Sequence, residues 1–175
     1  MTARPGGMAR VAPGLPTSEI SMVYQEGIIA GVIGAGTVAL WVLVVDTLAG
    51  RPLYTPTVLG TALFQGTAGL GTPGPPPVSW EMVMMYTWVH GLVFCVIGGL
   101  AARLLAMAEK DPNLGFGILL LFVVFEYGFI AAAMLFAEPI LHTLAWEAIL
   151  IGNLLAAAAM GGYFRHRHPY LTIRP

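Results

Sequence analysis

Four long apolar runs dominate the chain, at residues 27–45, 82–102, 114–137 and 139–164. The first two carry no Asp, Glu, Lys or Arg, the third is broken only by Glu126, and the fourth contains Glu147. A hydrocarbon core about 30 Å thick is crossed by ~20 residues at a rise of ~1.5 Å each, so every run predicts a membrane-spanning helix. The spans expected are about residues 24–48, 80–107, 114–137 and 139–164. The fold class that follows is an all-α integral membrane protein, a bundle of four transmembrane helices with a short outer interfacial helix. Residues 1–175 form a single membrane domain, with no length left for a separate catalytic one.

Punctuation between the runs fits this division. Residues 1–18 hold Pro5, Pro13 and Pro16 with Gly6, Gly7 and Gly14, and read as a mobile tail. Thr17 and Ser18 are candidate caps for a first helix starting near Glu19, with residues 19–26 lying in the interface. The outer loop, residues 49–79, contains Thr55-Pro56, the signature of an N-cap followed by proline at the first helical position. A short helix near 56–65 is expected there, ahead of a Gly/Pro connector that ends in Pro75-Pro76-Pro77. A loop this long suits a docking surface. Glu138-Pro139 marks the turn into the fourth span.

Charge orients the picture. Of eight Lys and Arg residues, Arg51 alone falls on the side of the long loop. Arg4, Arg10, Arg103, Lys110, Arg165, Arg167 and Arg174 all fall on the other. The positive-inside rule places both termini and the loop after the second span in the cytoplasm, in a cytoplasmic (inner) membrane. The run Arg165-His166-Arg167-His168 is expected at the anionic headgroups, with His166 and His168 solvated. Trp80, Tyr86 and Trp88 fit an outer aromatic belt.

Composition agrees, with 57% hydrophobic and 10% charged residues and a mean hydropathy of +0.79. A net charge of −1 argues against nucleic acid as a partner. The lone Cys95 allows neither an internal disulfide nor a cysteine metal site. No apolar leader follows a basic start, so no cleavable signal is expected.

Candidate chemistry lies in polar residues within the spans, because a buried ionisable group in lipid is costly. His90 sits about 14 Å from the outer end of the second span and Glu126 about 17 Å from that of the third, close to the midplane. Asn153 on the fourth span is expected at similar depth. A His–Glu pair satisfies both groups, so His90 and Glu126 are expected to face each other, directly or through a water or cofactor. The pair fits three roles: a registering hydrogen bond, a proton-carrying or quinone-contacting pair, or a ligand for a tetrapyrrole such as haem or a chlorophyll-type pigment. Gly91 beside His90 would admit a flat ring, with Trp88 and Phe94 against its edge. Glu138 and His142, four apart on one helix, form a weak two-ligand metal candidate. Met82, Met84 and Met85 raise a soft-metal site, though ordinary packing accounts for them better. Asp46 is expected to pair with Arg51 or to cap nearby backbone.

Gly27, Gly31, Gly34 and Ala35 make a small-residue ridge on the first span, suited to close helix approach. No nucleotide-binding, nucleophile-elbow or zinc-protease motif occurs. The reading that follows is a non-catalytic accessory or scaffold subunit of a larger bacterial-type membrane complex, handling electrons, protons or light. Its partners would be the lipid bilayer and other membrane subunits, reached through the first span and the outer loop. The alternatives are a cofactor-binding or proton-handling protein built on His90 and Glu126, and a small homo-oligomeric transporter or channel.

Overall fold

The computed structural model describes residues 17–66, 77–109 and 146–169, together with residues 117, 120, 123, 124, 127 and 128. The described residues form four helices and no strands: α1 (Thr17–Leu48), α2 (Tyr54–Gln65), α3 (Trp80–Ala108) and α4 (Trp146–Arg167). Three of them, α1, α3 and α4, are long and apolar enough to cross a bilayer. The protein is thus a multi-pass membrane protein. The six isolated residues between α3 and α4 have helical backbone, and Gly117 among them lies beside Leu104 of α3.

Lipid offers no partner to an open backbone N–H or C=O, and a helix closes them all internally. Hydroxyls in the spans follow the same rule. Thr37, Thr47 and Thr87 donate to the carbonyls of Ile33, Leu43 and Val83, four residues back, at 2.6–2.8 Å. Large apolar side chains face outward instead of inward: Val32, Leu40, Leu92, Val96 and Leu154 are all at least half exposed. This is the reverse of a water-soluble fold, and lipid tails satisfy these faces.

Two spans approach until their backbones touch. A Cβ placed on Gly27 would lie 2.6 Å from the Gly99 Cα and 2.8 Å from the Gly98 carbonyl oxygen. One on Gly31 would strike the backbone of Phe94 and Cys95, and one on Gly98 would strike the backbone of Gly27 and Gly31. Partners descend α3 as α1 ascends: Gly27 meets Gly98, Gly31 meets Cys95, and Ala35 meets His90. The helices are therefore antiparallel and in one fixed register over more than two turns.

Helix α4 packs on the other flank of α1, also antiparallel. The indole Nε1 of Trp41 donates to the Ala148 carbonyl at 2.7 Å, and its ring covers Gly152. Further along, Gly34 faces the Met160 sulfur, and at the far end Glu26 faces Arg167. Ala30, Ala102, Leu105, Met160 and Phe164 form one buried cluster that draws on all three helices.

Helix α2 is not a free surface helix. Thr55, Thr57, Val58, Gly60, Thr61 and Ala62 are buried, and Gly60 abuts the Met82 backbone at the start of α3. The chain reaches it through a tight turn with Gly50 and Leu53 in left-handed conformation, φ 70° and 63°. The helix starts at Tyr54, so Thr55 occupies its first turn and not the capping position that Thr55-Pro56 suggests. At α3, Ser79 Oγ caps Met82 N–H at 3.4 Å, with Glu81 in the first turn.

Backbone contact predicts a sharp positional contrast. Gly98→Leu should destabilise the protein by at least the ~1–3 kcal/mol of ordinary overpacking, since no side chain can move aside. Gly36→Leu, at an exposed position with open space around it, should leave stability unchanged. Thermal unfolding midpoints in one detergent compare the two directly. Equal effects would refute the packing described.

Candidate functional site

Three polar centres emerge among the described residues, one at each end of the bundle and one within it.

At the α2 end, Asp46 is 5% exposed although charged. Its Oδ2 accepts from the Thr55 N–H at 2.8 Å, and its Oδ1 accepts from the Thr55 hydroxyl at 2.7 Å. A carboxylate at the open N–H groups of a helix start also meets the positive end of the helix dipole. Asp46 thus caps α2 from the last turn of α1. Of the two roles expected for it, capping is the one formed; Arg51 instead lies over the Tyr54 ring, 4.3 Å from its centroid. This centre is a joint.

Within the spans, His90 is half-buried in a column of rings. Tyr86 stacks on it at 5.6 Å between centroids, and Phe94 packs at 4.8 Å with a 51° tilt. The imidazole lies against the backbone of Ala35 on α1. Its Nε2 is buried and, among the described residues, has no hydrogen-bond partner. Tyr86 belongs to this column, and Trp80 and Trp88 are 68% and 69% exposed. Gly91 has open space beside it. Phe94 packs against the imidazole, while Trp88 faces outward.

Glu126, the expected partner of His90, lies outside the described residues, as do Glu138 and His142. Asn153 is half-buried on α4, next to the Gly152 that Trp41 covers. Gly152 meets Trp41 on α1, while His90 meets Ala35 on the same helix. Gly27, Gly31 and Gly34 lie in the α1 interfaces, Gly27 and Gly31 against α3 and Gly34 against both Phe94 and Met160. Ala35 lies opposite His90. No group of three or more His, Cys, Asp or Glu among the described residues is placed to hold a metal ion.

At the opposite, basic end the three spans are tied by charge. His168 Nδ1 lies 2.8 Å from Glu109 Oε1, and its Nε2 lies 3.1 Å from Glu26 Oε2. Arg167 Nε reaches Glu26 Oε1 at 3.4 Å, and Arg103 donates to the Tyr24 hydroxyl at 3.4 Å. His166 is exposed, as expected of a headgroup contact, but His168 is only 26% exposed and bridges two carboxylates. Counting Lys and Arg alone hides this site. The signal available was acidic: Glu26 and Glu109 fall at the same end as the basic cluster, at ends of different spans.

The chain matches no protein-family model, no curated protein and no solved structure.

Asp46→Ala should release α2, leaving the Thr55 N–H without its acceptor at a cost of about 1–3 kcal/mol. Asp46→Asn, which retains one acceptor oxygen, should lose less. Hydrogen exchange of the α2 amides reads this: rapid exchange in Asp46→Ala is expected, and undiminished protection would remove Asp46 from the role of cap.

Proposed function

We propose that the protein is a non-catalytic accessory or scaffold subunit of a larger membrane assembly, built as four transmembrane helices with α2 as the outer element. One observation carries the reading. Most polar groups described in and around the spans bind the chain to itself: Asp46 to Thr55, Trp41 to Ala148, His168 to both Glu26 and Glu109. Groups used this way hold a shape.

The four-span topology has its own support. Helices α3 and α4 both run antiparallel to α1, so α3 ends at the basic end while α4 starts at the other. Residues 109–145 must carry the chain back across. The apolar run 114–137, with Glu126 as its only charge, has the length for one crossing. With the basic end on the cytoplasmic side of an inner membrane, both termini are cytoplasmic. Docking of other subunits would use the outer loop and the small, exposed face of α4 at Ala157, Ala158, Gly161 and Gly162.

Gentle extraction from native membranes tests the subunit reading. Co-purification with other membrane proteins in a defined ratio is expected. Recovery only as a monodisperse monomer would overturn it.

A second reading rests on the His90 Nε2, a buried acceptor or donor with no partner among the described residues. Such a group is expensive in lipid unless something binds it. Glu126, a quinone, haem or a chlorophyll-type pigment would each meet that need. Purified protein should then show a bound chromophore or an extractable quinone that His90→Ala abolishes. Colourless, quinone-free protein from native membranes would leave His90 a helix-registering residue.

A further inference from the structure

We propose that the cluster at the basic end is a proton-dependent clasp, in which protonated His168 holds the end of α4 to α3 and loss of that proton releases it. The argument is one of hydrogen-bond supply. Both ring nitrogens of His168 face carboxylate oxygens, at 2.8 and 3.1 Å. Ionised carboxylates only accept, and neutral imidazole carries a single N–H. The two bonds therefore need one more proton than neutral imidazole and two carboxylates contain. Moving that proton onto a carboxyl changes its address and not the count.

Every charged or titratable group described around the ring fits this count. From α1 come Glu26 and the Tyr24 hydroxyl, and from α3 Glu109 and Arg103. Beside His168 in sequence are Arg167, which reaches Glu26, and Arg165 and His166, which are exposed. With His168 protonated, Glu26 and Glu109 are balanced by Arg167 and His168. Without that proton, a ring lone pair faces a carboxylate and the balance fails.

The two bonds are unequal, and this decides what opens. Glu26 is 13% exposed and keeps Arg167 as a partner. Glu109 is 43% exposed and can turn to water. The remaining N–H stays with Glu26, and Glu109 lets go. That contact matters because, among the described residues, His168–Glu109 is the ion pair that joins the ends of α3 and α4.

Spin labels at Met107→Cys on α3 and His166→Cys on α4, in a Cys95→Ala background, measure the clasp in lipid nanodiscs of the full chain. Both label sites are exposed, and the His166 change removes the neighbouring imidazole. Pulsed distance measurements at about pH 5.5 and about pH 8.5 bracket imidazole titration. Loss of the short, narrow distance component at the higher pH is expected. In Glu109→Gln the amide donates to the neutral ring, so the short component should persist at both values. His168→Gln should lack it at both. An unchanged distribution between the two pH values, or a pH-dependent one in Glu109→Gln, would overturn the proposal. These two results decide the matter even where His168→Gln does not fold.

Discussion

Contact between the backbones of α1 and α3 is the constraint on which the other arrangements rest. In lipid, apolar side chains gain little by leaving one another or by meeting, so burial supplies no general drive to associate. Close packing and interhelical hydrogen bonds must do it. Gly27, Gly31 and Gly98 make this possible because no Cβ fits between the helices. The contact fixes height as well as distance. Ala35 then stands beside His90, and Tyr24 beside Arg103. A slip of one residue would separate both pairs.

Helix α1 holds the bundle because it carries two interfaces of different chemistry. Toward α3 it presents glycine backbone; toward α4 it presents Trp41, whose indole spans the gap to the Ala148 carbonyl. Gly152 makes room for that ring. The ends are then secured by charge. Asp46 joins α1 to α2, and the Glu26, Glu109 and His168 cluster joins α1 to α3 and α4. Apolar contact in the middle with polar joints at both rims suits a medium where charge is tolerable only near water.

His90 differs from the other polar groups of the spans. Threonine hydroxyls close on their own helix and Trp41 closes on a neighbour, but the His90 Nε2 has no partner among the described residues. Tyr86 and Phe94 hold the ring from above and below along α3. An imidazole held between two rings is a positioned donor or acceptor.

Uncharged length was enough to read the membrane class, because it follows from local physics: apolar transfer and backbone closure along one segment. The glycine ridge of α1 was visible for the same reason. What the ridge met was not, since Gly98 and Gly99 lie some seventy residues away and only packing brings them to Gly27. Register between helices likewise belongs to tertiary structure. It turned His168 from the headgroups to two carboxylates. Residue count along one helix gives depth to within a turn or so, whereas pairing a side chain needs the rotation and height of two helices at once, and those are set by contacts between them.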